Sequence, residues 1–350
     1  MPEPERAMRM SEVSTPAELR EFMTEPTPAL VQSMAALEGD LIVLGAGGKI
    51  GPDLIETVVR ADSEAGADRR VMAASRFSDP SVRERLMGLE IEVFAGDLSD
   101  RAFLHSLPAA PNVVYMAGVK FGTSHDYRLA FHMNCILPYL VGERFAEARI
   151  VVFSSSNPYP AVPFGGPGPT EDAAPQPRGI YGWTILAREA AFATTALASS
   201  AQTLCYFRLA YAQHLAYGVL ADIARTVWDG QPVSLAVPSV NLISQRDAID
   251  AALRAIGHCR NPAFVLNCAG PATPVRRIVE RLAEIMGRDA AFAGSEGQRT
   301  MVCDDSLCAS MFGPYRDGVE EMIEAAAGWV MAGGESWGKP TMFGSATPDY

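Results

Sequence analysis

Short apolar runs alternate with longer amphipathic stretches over the first two thirds of the chain. Asp40–Leu44 is typical, since it is aliphatic and ends in glycines, the pattern of a strand buried in a parallel sheet. Strands are predicted at Asp40–Leu44, Arg70–Ala74, Ile91–Phe94, Asn112–Met116, Arg149–Phe153 and Thr203–Leu209. Helices are predicted at Lys49–Ala61, Pro80–Met87, Ser99–Leu107, Tyr127–Ala148 and Tyr181–Leu197. This alternation predicts an α/β fold, a Rossmann-type doubly wound parallel sheet.

The two ends of the chain depart from this alternation. Residues 1–39 predict an N-terminal extension with short helices at Pro16–Met23 and Pro28–Leu37, because proline suits the first turn of a helix. Residues 211–350 predict a smaller C-terminal cap, some of whose strands return to the main sheet. Its predicted elements are helices at Val219–Trp228, Arg246–Cys259, Val275–Met286 and Gly318–Met331, with strands at Val240–Ile243 and Phe264–Asn267. The loop Pro158–Gly179 is long enough to suggest a functional role.

Composition and charge exclude several classes of protein. The 350 residues include 29 basic and 41 acidic side chains, a net charge of −12. Such a surface repels phosphate backbones and anionic lipids, so neither nucleic acid nor a membrane is an expected partner. No stretch approaches the ~18 apolar residues of a membrane helix, and the N-terminus has no apolar secretory core. We expect a soluble cytoplasmic protein. The six cysteines form no CxxC pair, so no metal site is predicted.

The turn after the first predicted strand reads Gly45-Ala-Gly-Gly-Lys-Ile-Gly51. Glycines at 45, 48 and 51 allow a sharp turn, close approach to a diphosphate and tight packing of helix on strand. With Lys49 and Ile50 they would place the diphosphate at the positive end of the following helix. A glycine-rich turn without a ligand is the alternative. We assign 40–210 to a dinucleotide-binding domain and 211–350 mainly to a substrate-binding cap.

The end of the second predicted strand bears on the choice of cofactor. It reads Met72-Ala-Ala-Ser75-Arg76 and lacks the acidic residue that grips the ribose hydroxyls in sites that prefer NAD. Arg76 would instead neutralise a 2′-phosphate, and Lys49 is a candidate to help. The sequence therefore favours NADP over NAD, although Arg76 as a solvated loop residue is the alternative.

Several motifs, taken in order, carry a resemblance to a known family. The third strand ends Phe94-Ala-Gly-Asp97-Leu98, the fourth ends in Ala117-Gly118, and Ser154-Ser-Ser-Asn-Pro-Tyr159 precedes Tyr181-Gly182. With the glycine turn, these residues resemble the extended short-chain dehydrogenase/reductase family, of the NAD-dependent epimerase/dehydratase type. The resemblance covers about residues 40–290.

The resemblance implies roles for the matching positions. Asp97, with Leu98 beside it, would accept from the adenine amino group, and Ala117-Gly118 would border the nicotinamide ribose. Tyr181 would be the catalytic acid/base. The hydroxyl that orients the reacting oxygen would be Ser155, with Ser156 as the alternative.

Two departures from the family pattern limit the chemistry. The motif YxxxK, whose lysine lowers the pKa of the tyrosine, reads Tyr181-Gly-Trp-Thr-Ile185 here. The chain has only three lysines, and Lys120 lies just after the fourth strand, so Lys120 is a candidate replacement; a surface lysine is the alternative. The Asp-Glu pair of the 4,6-dehydratases is also missing after the serines, which disfavours that reaction.

The predicted function follows from the resemblance. We expect an NAD(P)-dependent oxidoreductase or epimerase that acts on a secondary alcohol or ketone of a carbohydrate-like substrate, such as a nucleotide sugar. The alternative is a dinucleotide-binding member with lost or altered chemistry, a sensor or a non-redox isomerase. The resemblance also predicts a homodimer, paired through the long helices Tyr127–Ala148 and Tyr181–Leu197.

Overall fold

Seven parallel strands form the central sheet of the structure, a computed structural model that describes residues 8–339 and 341. The strands of the sheet and of four small two-stranded pairings are, in chain order, β1 Leu41–Leu44, β2 Val71–Ser75, β3 Glu92–Ala95, β4 Asn112–Tyr115, β5 Arg149–Ser155, β6 Val162–Pro163, β7 Thr203–Leu209, β8 Ala212–Gln213, β9 Val233–Ser234, β10 Ser239–Asn241, β11 Ile243–Ser244, β12 Phe264–Cys268, β13 Ala272–Pro274, β14 Phe292–Ala293 and β15 Arg299–Thr300. The central order is β12-β7-β5-β4-β1-β2-β3, which confirms the Rossmann-type fold predicted from the sequence.

Helices cover both faces of the sheet. In chain order, the α-helices of the described residues, those of the cap included, are α1 Pro16–Thr24, α2 Pro28–Ala36, α3 Gly51–Ala65, α4 Pro80–Met87, α5 Arg101–Ser106, α6 Tyr127–Phe131, α7 Leu137–Arg144, α8 Gly179–Ala198, α9 Val219–Trp228, α10 Gln245–Arg254, α11 Val275–Met286, α12 Ser306–Phe312 and α13 Val319–Met331. Aliphatic residues of α3 and α10 pack on one face, and those of α7 and α8 pack on the other. The residues of the central strands β1 and β4 are fully buried, as their apolar runs predict, whereas β3 at the edge of the sheet is partly exposed.

The cap and the N-terminal extension share one apolar core. Helices α9, α11 and α13 surround it, and Leu19 and Phe22 of α1 are buried within it. Leu30 and Met34 of α2 instead belong to the core beneath the sheet. The N-terminal extension therefore packs against both the cap, through α1, and the domain of the central sheet, through α2. As predicted, a strand beyond residue 210 returns to the main sheet, since β12 lies beside β7.

The stretch Tyr127–Ala148 was expected to be one helix and is interrupted. A turn of π-helix at His132–Ile136 separates α6 from α7. Pro138 follows this turn, and a proline inside a helix removes one backbone donor and crowds the carbonyl four residues earlier, here that of Asn134. The wider turn relieves this conflict and points the fully buried Asn134 at the neighbouring helix.

Other differences lie at boundaries and in short elements. Helix α3 begins at Gly51, two residues later than the expected Lys49. The single strand expected at Val240–Ile243 is two short strands, β10 and β11. The loop 158–179 is held in place, because β6 within it pairs with β15. Pairings of two residues carry too little periodicity to be visible in a sequence.

A buried ion pair joins α8 to the sheet. The carboxylate of Glu189 lies 2.7 Å from the Arg208 guanidinium of β7, and both side chains are about 5% exposed. Ser154 of β5 donates to the same carboxylate at 2.5 Å. Removing one partner of such a pair leaves an uncompensated buried charge, which is far more costly than losing an exposed pair.

We expect Glu189→Ala to lower the free energy of unfolding by about 3–5 kcal/mol, measured by chemical denaturation, because Arg208 would be left buried without a counter-charge. The matched control is Glu324→Ala on α13, whose ion pair with Arg281 is exposed. That variant should lose less than about 1 kcal/mol. Equal losses in the two variants would contradict the assignment of Glu189 to the buried contact.

Candidate active site

The candidate site lies at the edge of the sheet where the parallel strands end. The chain leaves β1 for one side of the sheet and β4 lies on the other, so the strand order reverses between them. In open α/β sheets ligands bind in the crevice at this reversal. Two hollows occur here, a groove of about 180 Å³ along the ends of β1, β2 and β3, and a cavity of about 260 Å³ between β5, α8 and the cap.

The groove is lined by most of the residues predicted to hold a dinucleotide. These are Gly45, Gly48, Ser75, Arg76, Asp97, Leu98, Ala117 and Gly118, together with Gly47, Phe77, Ser78, Gly96, Met116, Met133 and Leu137. Gly45 has a φ of +90°, and a Cβ there would lie 2.5 Å from the backbone nitrogen of Ala117. A Cβ on Gly48 would meet only one atom, the Gly45 oxygen at 3.4 Å, and would project into otherwise open space. The turn therefore forms a floor without side chains.

Gly51 and Lys49 have different surroundings from the rest of the turn. A Cβ on Gly51 would lie 2.3 Å from the carbonyl oxygen of Ala46, so this glycine lets α3 pack closely on the turn. Lys49 and Ile50 line the cavity and not the groove. Lys49 is thus on the other side of the turn from Arg76, which removes the expectation that it assists Arg76.

The outer end of the groove carries one positive and one negative side chain. Arg76 is exposed and forms no ion pair among the described residues. One oxygen of Asp97 accepts from the backbone nitrogen of Ser99 at 2.9 Å, which fixes the carboxylate at the end of β3. The guanidinium of Arg76 thus lies at the outer end of the groove without a carboxylate partner among the described residues.

The cavity brings together the predicted catalytic side chains. Its lining includes Lys120, Ser155, Ser156 and Tyr181. Tyr181 and Ser155 are hydrogen-bonded to each other. The Ser155 oxygen also accepts from the side-chain amide of Asn157 at 2.8 Å, which holds the serine in place. Ser154 also lines the cavity, but its hydroxyl donates to the Glu189 carboxylate. The three consecutive serines therefore differ in surroundings, and Ser155 contacts the tyrosine.

Three effects act on the pKa of Tyr181. Burial raises it above the ordinary value, because a phenolate is poorly solvated there. The positive charge of Arg188 and the hydrogen bond from Ser155 act in the opposite direction, since both favour the phenolate. The net direction is upward, so at neutral pH the resting side chain is the phenol.

Two lysine ammonium groups face this cavity. The Lys120 nitrogen lies 5.7 Å from the centre of the Tyr181 ring, and the Lys49 nitrogen lies 3.7 Å from the centre of the Tyr217 ring. Burial lowers the pKa of Lys120 to about 8, and repulsion from Lys49 adds to the effect. Burial also lowers the pKa of Lys49 to about 8, with repulsion from Lys339 in addition and partial compensation by Asp222.

Sequence reasoning missed two parts of the site. Ile185, where the resemblance expects a lysine, is fully buried, and the buried Arg188 stands one turn further along the same helix. The C-terminal segment also contributes. Trp337 stacks on Tyr217 with ring centres 5.7 Å apart, and Thr341 lines the cavity. The motifs gave no signal for either, since both depend on contacts between distant parts of the chain.

Two further properties concern the described part of the chain. Residues 8–339 and 341 hold no group of three or more histidine, cysteine or acidic side chains arranged to bind a metal ion. Within the same range, no helix combines the length and apolar character that a membrane crossing requires.

The lowered pKa values predict reactive lysines. Acylation of Lys120, followed by mass spectrometry, should increase through pH about 8 and then level off, whereas an ordinary lysine, with a pKa of ~10.4, still gains reactivity well above that pH. Lys49→Met should move the Lys120 midpoint upward, because a repelling charge is removed. A Lys120 rate that still rises steeply at pH 10 in the wild type would contradict the described environment.

Comparison with solved structures identifies proteins of the same fold. A structure of MoeE5 in complex with UDP-glucose and NAD is 22% identical, with a TM-score of 0.66, over 84% of this chain and 99% of that one. UDP-glucose 4-epimerase from Thermotoga maritima, with UDP-glucose, is 19% identical, with a TM-score of 0.68, over 83% and 98%. UDP-glucuronic acid 4-epimerase from Bacillus cereus, with UDP-glucuronic acid and NAD, is 16% identical, with a TM-score of 0.66, over 83% and 99%.

Sequence comparison adds nothing to this. No family model matches the chain, and no curated protein matches it either. At these identities the structural likeness concerns the fold. The chain therefore has the fold of UDP-sugar 4-epimerases, which is the fold that its resemblance to the extended short-chain dehydrogenase/reductase family predicts.

Proposed function

We propose that this protein is a nicotinamide-dinucleotide-dependent oxidoreductase or epimerase that acts on a secondary alcohol of a nucleotide-sugar-like substrate. The observation that carries the proposal is the hydrogen-bonded pair Tyr181–Ser155 in a cavity beside a glycine-floored groove, at the reversal point of the sheet. Residues 40–210 would bind the dinucleotide, and residues 211–350 would mainly bind the substrate.

The groove fits a dinucleotide on physical grounds. The floor at Gly45, Gly47 and Gly48 has no side chains to exclude a diphosphate, and helix α3 begins beside it with its positive end. Asp97, whose carboxylate lines the groove, would accept a hydrogen bond from the adenine amino group. Ala117 and Gly118 lead from the groove toward the cavity, where the reacting end would lie. Two of the structures with the same fold contain NAD.

The side chains of the cavity can manage the proton of the reaction. A bound nicotinamide dinucleotide would supply reversible acceptance and return of a hydride. Tyr181, as phenolate, would take the proton of the substrate hydroxyl as its carbon loses hydride, and a ketone results. Ser155 would hydrogen-bond the same oxygen and orient it. Return of hydride to the other face of the ketone, with the proton from Tyr181, would give the epimer.

Lys120 is the proposed cation on the cavity side. Its ammonium lies near the Tyr181 ring and would stabilise negative charge on the phenolate or on a phosphate of the bound ligands. Ser156 and Asn157 line the same cavity and leave polar contacts for the sugar. The choice of a sugar nucleotide rests on the likeness to proteins whose structures contain UDP-glucose or UDP-glucuronic acid.

The proposal predicts that the purified protein, given NAD or NADP, either interconverts a UDP-sugar with its epimer or oxidises the UDP-sugar. The sugar is analysed by chromatography, and reduction of the dinucleotide is measured by its absorbance. Tyr181→Phe should reduce turnover by about 10²–10⁴-fold, because it removes the proton-transferring hydroxyl. The matched control is Tyr139→Phe on α7, an exposed tyrosine outside the cavity, which should retain activity.

Each outcome of this experiment has a clear meaning. Loss of activity in Tyr181→Phe with unchanged dinucleotide affinity supports the acid/base role. Dinucleotide binding without turnover of any UDP-sugar would instead favour a sensor or a non-redox isomerase. This alternative is motivated by Ile185, which replaces the lysine of the family motif. Full activity of Tyr181→Phe would refute the mechanism.

We further propose NADP as the cofactor, with NAD as the alternative. Arg76 lines the groove directly after β2 and is not engaged in an ion pair within the described range. A guanidinium there suits a 2′-phosphate, and β2 ends without the carboxylate that would select the ribose hydroxyls.

Arg76→Ala should weaken NADP binding by roughly tenfold or more, a loss of about 1.4 kcal/mol or greater, and leave NAD binding close to wild type, measured by calorimetry. The phosphate contact is lost only for NADP. Arg83→Ala, on the neighbouring α4 and outside the groove, is the control. A wild-type preference for NAD would overturn the choice of NADP.

Homodimer formation is the remaining proposal. Large apolar side chains are exposed on one set of adjacent helices, and monomers rarely expose such a group together. They are Tyr127, Leu129, Phe131, Ile136, Tyr139, Trp183 and Leu197 of α6, the π-turn, α7 and α8. This is the surface that the resemblance pairs across a two-fold axis.

Light scattering of a dilute solution should give twice 37.5 kDa, the mass of one chain. Trp183→Glu should reduce the mass to that of the monomer, because it places a charge in the proposed interface. Met87→Glu, at an exposed methionine on α4, should have no effect. A wild-type mass of 37.5 kDa would count against the dimer.

A further inference from the structure

Arg188 of α8 carries a buried positive charge. Its side chain is only 6% exposed, yet it forms no ion pair among the residues that the structure describes. The neighbouring Glu189 is paired with Arg208 instead. Burying an unpaired charge is expensive, so such a group is unusual unless it has a role that needs the charge.

Hydrogen bonds fix the guanidinium among the elements that build the cavity. One terminal nitrogen donates to the Phe153 carbonyl of β5 at 2.7 Å, and the other donates to Asn134 Oδ1 of the π-turn at 2.7 Å. The second nitrogen also packs against Gly118, because a Cβ placed on Gly118 would lie only 1.9 Å from this nitrogen. The Nε atom is buried and has no hydrogen-bond partner in the part of the chain that the structure describes. The group thus has hydrogen-bonding capacity that the resting protein does not use.

Helix geometry brings this charge to the side of Tyr181. Residues 181, 185 and 188 are spaced by four and then three positions, so they share one face of α8. The Arg188 side chain extends toward the N-terminus of α8, in the direction of Tyr181. Asn134 shows this, because it contacts the Arg188 guanidinium and also donates a hydrogen bond to Thr184 at 3.1 Å. Thr184 in turn donates to the Tyr181 carbonyl at 3.0 Å. Its charge favours the phenolate form of Tyr181.

We propose that Arg188 is the positioning residue that supplies, from the protein side of Tyr181, the fixed positive charge that the resemblance assigns to a lysine at position 185. Ile185 fills the space on the same face with an apolar side chain, which avoids a second buried cation next to Arg188. The inference rests on the proposed acid/base role of Tyr181 and specifies what assists it.

Arg188 and Lys120 differ in the pH range over which each remains charged. A guanidinium keeps its charge over the whole pH range in which proteins are folded. The charge of Lys120 is lost as the pH rises through about 8. An enzyme that depended on Lys120 alone would lose its assisting charge in weakly alkaline solution. The charge would thus disappear as the pH rises toward the range in which Tyr181 ionises.

The test measures ionisation of Tyr181 without any substrate. The tyrosinate absorbance of each protein is titrated against that of the same protein carrying Tyr181→Phe, so that the difference reports Tyr181 alone. Arg188→Gln keeps hydrogen-bonding groups and removes the charge. It should raise the Tyr181 midpoint by about one pH unit or more, the effect of losing a nearby opposite charge. Arg188→Lys should remain close to wild type.

Two further variants complete the design. Arg128→Gln, at an exposed arginine on α6, is the matched control and should leave the midpoint unchanged. Ile185→Lys combined with Arg188→Gln restores one cation on the same helix face and should bring the midpoint back toward wild type. If Arg188→Gln alone fails to fold, the double variant is used for the test. A Tyr181 midpoint in the double variant that is still raised by about one pH unit or more, as expected for Arg188→Gln alone, would overturn the inference.

The inference and the proposed function fail in different ways. An unchanged Tyr181 midpoint in folded Arg188→Gln overturns the role of Arg188, whatever the protein does with sugars, and a loss of thermal stability alone would then assign it a structural role. A raised midpoint in a protein that turns over no UDP-sugar supports the role of Arg188 and overturns the proposed function. Where turnover is present, the alkaline limb of its pH profile should move with the midpoint.

Discussion

Two adjacent charges on α8, Arg188 and Glu189, are buried against the sheet, and the position of Tyr181 depends on how both are satisfied. Glu189 is neutralised by Arg208 of β7, whereas Arg188 is held by a carbonyl of β5 and an amide of the π-turn. Charges removed from water need hydrogen bonds, and Arg188 forms them through its two terminal nitrogens. Rotation or sliding of the helix would break both sets of contacts at once, so α8 has one favourable arrangement on the sheet, and that arrangement holds Tyr181 at Ser155.

The general architecture could be predicted because it depends on local pattern. Buried parallel strands give continuous apolar runs, and the turn from Gly45 to Gly51 is needed where a strand meets a helix beside a ligand. The order of the strands then follows from the fold, and it brings Ser155, Tyr181 and Gly118 to one edge. The same reasoning could not find Arg188, because a lone arginine in an amphipathic helix resembles any solvated residue until its neighbours from β5 and the π-turn are known. It also could not place Lys49, since a side chain on a tight turn can point to either side.

The distribution of charge contrasts with the overall composition. The chain carries a net charge of −12, but within the described residues no carboxylate lines the cavity, and two ammonium groups face it. Lys339, the third lysine, is close enough to act electrostatically on Lys49. Dinucleotides and sugar nucleotides both carry diphosphates, and a positive hollow in a negative surface concentrates such ligands at its entrance. The net negative charge of the chain as a whole opposes the binding of polyanions elsewhere.

The C-terminal segment gives the cavity part of its wall without being part of the sheet. Trp337 stacks on the ring of Tyr217, the Lys49 ammonium contacts the same ring, and Thr341 donates a hydrogen bond to Asp222. A chain that ended before Trp337 would keep every strand of the sheet but would lose this support, leaving Lys49 with more water and less aromatic contact. Changes in this segment therefore reshape the wall of the cavity while every strand of the sheet stays in place, so the ligand that the cavity accepts depends in part on residues outside the sheet.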